Sequence, residues 1–71
     1  MNLNKLTSII DESGIKKAKL CEDLGISDSS LRNKLKGKTE FTLSEMNTLA
    51  SALHLTPSVC TDVFFSDLVA Q

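Results

Sequence analysis

Residues 15–37 limit what this chain can fold into more than any other segment does. Apolar residues recur there at helical spacing in two short runs, and the first run ends at Leu24. Gly25 follows, and glycine tolerates the positive φ that a tight turn between two helices requires. Ser27 then supplies a side-chain oxygen that can cap a second helix. The segment therefore predicts a helix over residues 16–24, a glycine turn and a second helix after Ser27.

Two short helices joined by such a turn are what a helix-turn-helix unit requires. The second helix of such a unit can enter the major groove of DNA, and here it ends at Gly37. Leu31 and Leu35 lie four residues apart and are predicted to face inward. The polar residues around them are candidates for contacts with another macromolecule: Ser27, Asp28, Ser29, Ser30, Arg32, Asn33 and Lys36.

Three more helices are predicted, one before this unit and two after it. The first spans residues 3–13, with one apolar face, a cap at Asn2 and a stop at Gly14. Residues 42–45 fit a capping box, which begins a fourth helix that runs to about residue 53. Residues 56–57 begin a short fifth helix with proline at its first position. No segment has a strand pattern, so the sequence predicts an all-α fold.

The apolar residues of the later helices give a more detailed expectation for the core. In the fourth helix the inward-facing positions are predicted to be Leu43, Met46, Leu49, Ala50 and Leu53. Phe64 and Phe65 are adjacent, so both can hardly point into so small a core. Either one is exposed, which would mark a dimer or partner contact, or both fold over the end of the first helix. His54 is interpreted as a side chain compatible with the dipole at a helix C-terminus.

The length of 71 residues indicates one domain, with residues 66–71 expected to form a flexible tail. A chain of this size buries only about 60% of its unfolded surface. No apolar run approaches the roughly 18 residues of a membrane span. The first residues also lack the pattern of a signal peptide. We therefore expect a cytoplasmic location and no membrane partner.

Cysteine and histidine usage argues against a metal site and against catalysis. Cys21 and Cys60 form no C-x-x-C pair and have no histidine cluster nearby, so they are interpreted as reduced core thiols. The chain has one histidine, no paired-carboxylate pattern and no phosphate-binding glycine loop. It is also short for a substrate pocket. We expect no enzyme activity, no cofactor, no metal and no small-molecule substrate.

Charge is divided unevenly along the chain, although the net charge is only −1. All eight Lys and Arg residues lie within residues 5–38, where five acids reduce the net charge to +3. Residues 39–71 contain four acids and no Lys or Arg, which gives −4. Such an asymmetry indicates either a nucleic-acid face or an acidic face for a partner.

The order of these features resembles the phage repressor and Cro-type (Xre-like) helix-turn-helix family. The resemblance covers residues 3–65. Its core pattern consists of small and apolar residues in the helix pair, Leu20, Cys21, Leu24, Gly25, Ile26, Leu31 and Leu35. Residues 31–38, 41–45 and 54–57 are similar to the end of the family's recognition helix, its next helix start and its last turn. The resemblance implies a compact five-helix domain of the lambda-repressor type.

In that family the N-terminal part of the recognition helix reads base edges, which here matches Asp28, Ser29, Ser30, Arg32 and Asn33. Arg can pair with guanine, Asn with adenine, and Ser with either. Phosphate or partner contacts are assigned to a second set: Lys16, Lys17, Lys34, Lys38, Glu22 and Asp23. For any single lysine, an ordinary solvated position is favoured over such a contact, whereas for the unit as a whole a functional role is favoured. Asp28 departs from the family, which often has a long polar residue such as Gln there, and its carboxylate repels phosphates.

By size and acidic balance the chain also resembles the modulator-of-repression proteins of temperate phages of lactic-acid bacteria. This resemblance implies a phage repressor as the partner. The favoured hypothesis is a regulator of a lysis/lysogeny-like switch that binds the DNA-binding domain of a repressor and modulates its hold on the operator, as an antirepressor. The alternative is a Cro-like repressor that binds operator DNA directly as a dimer. Glu22, Asp23 and Asp28 favour the first, because they lie on the face that DNA would meet.

Overall fold

The computed structural model describes residues 1–69 and places five main helices in the predicted order. Their bounds are α1 (Leu3–Ser13), α2 (Lys17–Leu24), α3 (Asp28–Leu35), α4 (Leu43–Ala52) and α5 (Pro57–Phe64). Over this part of the chain there is no strand. The all-α prediction is confirmed. None of the helices within residues 1–69 combines the length and the apolar character that crossing a membrane requires.

A sixth element, α6 (Ser66–Val69), follows α5 and packs against it. It occupies the first four positions of the segment that the sequence predicted as a flexible tail. Four residues are too few for a periodicity to be recognised, which is why the sequence did not indicate this helix. The flexibility of the tail stays a prediction, and its last two positions, Ala70 and Gln71, lie outside the described residues.

Side-chain caps begin four of the five main helices. At each of them a side-chain oxygen accepts a hydrogen bond of 3.1–3.3 Å from the N–H three residues later, at Asn2, Ser27, Thr42 and Thr56. Thr42 also donates its N–H to Oε1 of Glu45 over 2.7 Å, which completes the predicted capping box. Helix α2 differs, because Lys16 stands at its N-cap and makes no such bond.

Three helix ends share one backbone arrangement. A residue with positive φ follows α2, α3 and α4, at Gly25, Gly37 and His54 respectively. The N–H of the next residue then donates to the carbonyl five positions earlier, over 2.9–3.1 Å. This is the Schellman arrangement, in which glycine is preferred because the left-handed conformation crowds a β-carbon. His54, at φ 54°, is the one of the three that carries a side chain.

The core lies where α1 packs on α3 and α5 and where α2 packs on α3 and α4. Its buried residues are Leu6, Ile10, Leu20, Cys21, Leu31, Phe41, Leu49, Leu53, Val63 and Phe64. Cys21 is thus a core thiol, as expected, whereas Cys60 is half-buried. Phe41 is a core residue that the sequence reading missed, since it lies in the loop before α4 and belongs to no periodic run.

The prediction that Leu43 faces the core is wrong. Its side chain is 67% exposed at the first position of α4. Phe41, two residues earlier, is buried and occupies the core at this end of the helix.

Of the two adjacent phenylalanines, Phe64 is buried and Phe65 is 41% exposed. The expectation that one of them is exposed is confirmed, and the alternative in which both are covered is wrong.

Candidate functional site

The turn between α2 and α3 fixes α3 on the outside of the domain. Gly25 adopts φ 70°, and the half-buried Ile26 packs against the core beneath the turn. Leu31 is 1% exposed, so α3 is held by the one buried side chain at its centre. We use the name helix-turn-helix face for a set of exposed polar residues at the start of α2, on α2 and α3, and just after α3: Lys16, Lys17, Glu22, Asp28, Ser29, Arg32, Asn33, Lys36 and Lys38.

Two serines of the predicted site are engaged in capping. Ser27 Oγ accepts the N–H of Ser30 over 3.1 Å, and the hydroxyl of Ser27 lies 3.2 Å from Oγ of Ser30. Ser30 is half-buried. Ser29 and Asn33, by contrast, are exposed on α3.

Asp28 and Arg32 form an ion pair one turn apart on α3. Arg32 Nη2 donates to Oδ2 of Asp28, and the side chains are 63% and 60% exposed. The guanidinium that the sequence assigns to base reading is therefore held by a carboxylate of the same helix. The pair leaves the N-terminal half of α3 with no net charge while both groups remain within reach of a partner.

Lys34, which the sequence assigned to phosphate or partner contact, is engaged inside the domain. Its ammonium lies 3.1 Å from Oε1 of Glu45, donates to the carbonyl of Glu40 over 2.9 Å and sits 5.8 Å from the ring centroid of Phe41. Only 13% of its side chain is exposed. The signal for this was in the sequence, because Lys34 follows the inward-facing Leu31 by three residues and so borders the buried face.

Partial burial by itself raises the pKa of the Glu45 carboxyl. The hydrogen bond from the Thr42 N–H, together with the hydrogen bond and charge of Lys34, outweighs that effect and holds the pKa below its ordinary value. Glu45 therefore connects the cap of α4 to α3 as a carboxylate. It was predicted as a capping residue, and its link to Lys34 was not.

Most acids of the negatively charged half of the sequence form ion pairs with cations of the other half. Three of the four acids in residues 39–71 pair with cations of the first half, as Lys34 with Glu45, Lys5 with Asp62 over 3.3 Å and the Met1 amine with Asp67 over 2.9 Å. Most of the acids of this half therefore already have a cationic partner within the domain.

Asp23 is less available than the sequence predicted. Its carboxylate pairs with Lys19 over 3.0 Å, and this hydrogen bond and charge raise the pKa of the Lys19 ammonium. Asp23 also lines a cleft between α2 and α4, together with Asn47 and Ser51 of α4. Glu22 remains exposed on α2 with no ion pair within residues 1–69.

Four cations of the helix-turn-helix face make no ion pair over the described length of the chain: Lys16, Lys17, Lys36 and Lys38. Lys16 and Lys17 stand at the start of α2, and Lys36 and Lys38 follow α3. Two pairs of exposed lysines thus stand at the two ends of the helix-turn-helix unit, whereas the charged residues of α3 itself are all engaged in ion pairs, Arg32 with Asp28 and Lys34 with Glu45. Such flanking lysines can contact phosphates without reading sequence.

A family model described as the Cro/C1-type HTH DNA-binding domain matches residues 5–58. The chain belongs to this family. The matched residues include all of α2, α3 and α4, so the helix-turn-helix face lies wholly within the family domain. No curated protein and no solved structure gives a significant match to the chain.

Membership in this family identifies the chain as a helix-turn-helix regulator of the DNA-binding class. Domains of this family are typically non-enzymatic. The predicted family and its compact all-helical fold are confirmed. The roles of individual residues on the helix-turn-helix face stay predictions, as do the phage setting and the partner.

Proposed function

We propose that this protein is a phage-type transcriptional regulator that binds the DNA-binding domain of a partner repressor and modulates the repressor's hold on its operator. On this proposal it acts in the cytoplasm of a bacterial host, as an antirepressor in a lysis/lysogeny-like switch. The observation that carries the proposal is the exposed carboxylate of Asp28 at the first position of α3.

A carboxylate at this position suits a protein partner better than DNA. In a DNA groove it would face phosphates and acceptor atoms such as O6 and N7 of guanine, and only the exocyclic amines of cytosine and adenine would be suitable donors. The DNA-binding surface of a repressor instead presents the Lys and Arg side chains that normally contact phosphates. Asp28 and Glu22 would meet these cations, and such complementarity would speed and orient docking.

The alternative function, a Cro-like repressor that binds operator DNA as a dimer, is favoured by one specific observation. The cations at the two ends of the helix-turn-helix unit are exposed and make no ion pair within residues 1–69: Lys16 and Lys17 at the start of α2, and Lys36 and Lys38 after α3. Phosphate neutralisation supplies much of the affinity of a DNA-binding protein, and its signature is a steep dependence on salt.

Titration against DNA from the protein's own locus, at 50 mM and 150 mM salt, separates the two functions. The probes are that DNA alone and the same DNA carrying the proposed partner repressor. We expect no sequence-specific shift from the protein alone and a changed shift of the repressor complex. Sequence-specific binding by the protein alone, with a steep salt slope, would establish the alternative instead.

The docking face is tested by charge reversal with a matched control. Asp28→Lys places a cation where a basic surface would approach, so we expect it to release repressor from DNA at least tenfold less effectively than the unaltered protein does. Asp62→Lys makes the same change of charge and also breaks an exposed ion pair, but on α5. It should retain full activity. Equal activity of the two variants would show that the wrong face has been assigned.

A further inference from the structure

Arg32 is the only arginine of the chain and the side chain best suited to read a base. A guanidinium contacts O6 and N7 of guanine with two hydrogen bonds, which an ammonium or an amide cannot reproduce in the same geometry. In the structure this guanidinium is bound by Asp28, one turn earlier on α3, and both side chains are largely exposed. A ligand that approaches α3 therefore meets both side chains at once.

Separating the pair in water is easy, because an exposed pair one helical turn apart is weak. The larger penalty arises inside a complex with DNA. If Arg32 turned towards guanine, Asp28 would be left in a groove of negative potential, desolvated and without its cation. If Arg32 stayed on Asp28, no arginine would remain to read the base. Either outcome weakens direct binding, whereas a basic protein surface replaces the lost cation with one of its own.

We infer that Asp28 is a specificity determinant that selects a basic protein surface over DNA by occupying Arg32 and opposing the groove. This inference rests on the proposed function and deepens it, since it assigns the choice of partner class to one residue. The remainder of the helix-turn-helix face keeps the features of a DNA-binding domain, including exposed lysines at the start of α2 and after α3, Lys16, Lys17, Lys36 and Lys38.

The consequence is that removing the carboxylate should convert the domain into a direct DNA binder. Asp28→Asn preserves the size of the side chain and raises the net charge from −1 to 0. Asp62→Asn is the matched control, because it removes one exposed carboxylate and one ion pair at α5. Both substituted side chains are more than half exposed, and circular dichroism checks that both variants fold.

The probe is a fluorescein-labelled duplex of about 20 base pairs with randomised sequence, read by anisotropy between 20 and 150 mM salt in keeping with the salt dependence of such binding. We expect Asp28→Asn to bind at least tenfold more tightly than either the unaltered protein or Asp62→Asn, with a steeper salt slope. Adding Arg32→Ala to Asp28→Asn should remove most of the gain. Selection of sequences from the same pool by Asp28→Asn should enrich guanine at one position per half-site.

Three results would overturn the inference. In the first, Asp28→Asn binds no more tightly than Asp62→Asn, so that net charge alone matters. In the second, the gain survives Arg32→Ala, so that the guanidinium is not involved. In the third, the unaltered protein already binds the duplex as tightly as Asp28→Asn. Failure of the proposed function is recognised separately, because it appears as unaltered protein that leaves a repressor–operator complex unchanged, whatever the variants do on DNA.

Discussion

The ammonium of Lys34 lies 3.1 Å from Oε1 of Glu45, and each of the two side chains is 13% exposed. The pair joins α3 to the first turn of α4 across the loop that contains Lys36 and Lys38. Glu45 is at the same time the acceptor of the Thr42 N–H in the capping box. A residue that the sequence assigned to ligand contact therefore anchors the recognition helix to the body of the domain.

Breaking this pair should lower stability more than breaking an exposed one. A double-mutant cycle with Lys34→Met and Glu45→Gln should give a coupling energy of about 1–2 kcal/mol, because charge-assisted hydrogen bonds between partly buried groups are worth more than neutral ones. The matched cycle with Lys5→Met and Asp62→Asn concerns an exposed pair and should give less than about 0.5 kcal/mol. Urea unfolding of the single and double variants measures both, and equal couplings would mean that burial of the Lys34 pair adds nothing.

The same pair should make stability depend on pH in the acid range. The pKa of Glu45 is lowered in the folded protein from its ordinary value of 4.5, so folding favours the carboxylate. Its contribution is complete above the unfolded pKa and is lost as the pH falls through the folded one. The stability difference between the unaltered protein and Glu45→Gln should therefore be full at pH 7 and shrink below about pH 4. Urea unfolding at both pH values tests this, and a difference that grows on acidification would contradict it.

We expect the left-handed backbone conformation of His54 to lower the stability of the protein. Replacement by glycine should relieve the left-handed strain at φ 54°, which costs about 1–2 kcal/mol and is offset by about 0.5–1 kcal/mol of extra chain entropy. We therefore expect the free energy of unfolding, measured by thermal unfolding, to rise by about 0.5 kcal/mol. His54→Ala keeps a β-carbon and should show no gain. If His54→Gly is the less stable protein, the imidazole makes a contribution that the backbone account lacks.

The opposite change at Gly25 should lower stability, because it introduces backbone strain that glycine avoids. Gly25→Ala places a β-carbon at φ 70°, where nothing lies within 4 Å of it. Only the backbone is strained, so we expect a loss of about 1 kcal/mol without a steric clash. Thermal unfolding measures the loss. A neutral Gly25→Ala would show that the turn between α2 and α3 does not depend on glycine.

Helix α2 should be stabilised by a better cap. Lys16 has the extended backbone of an N-cap, at φ −70° and ψ 141°, but no side-chain acceptor. Lys16→Ser should add about 0.5–1 kcal/mol to the unfolding free energy. Lys17→Ser changes the same charge one position inside the helix and should give no such gain. If Lys16 also contacts a partner, the stabilised variant should bind that partner more weakly, which a titration of the same sample shows.

The sequence predicted the helices well because their ends carry local signals. Asn2, Ser27, Thr42 and Thr56 are caps in the structure as they are in the sequence pattern. Leu43 was misplaced because periodicity continues to the first residue of a helix even where another part of the chain fills the core. That other part was Phe41, whose burial depends on how the loop closes and is not a local property.

The candidate site was less predictable, since its electrostatics depend on pairing across the fold. The spacing of Asp28 and Arg32 already allowed an ion pair along α3, and the structure forms it. The pairing of Lys34 with Glu45, and of Lys5 with Asp62, could not be read in advance, because it joins residues 11 and 57 positions apart through the packing of whole helices. The overall charge of each half was therefore a poor guide to the charge of its surface.

The central claim is that α3 and its flanking lysines form the surface by which this protein recognises another macromolecule. Its most direct test is a nuclear magnetic resonance titration of the isotopically labelled protein with the DNA-binding domain of the proposed partner repressor. We expect amide shift changes concentrated in residues 27–36 and at Lys16 and Lys17, with α5 unchanged. Shift changes confined to α1 and α5, with residues 27–36 unaffected at saturation, would contradict the claim.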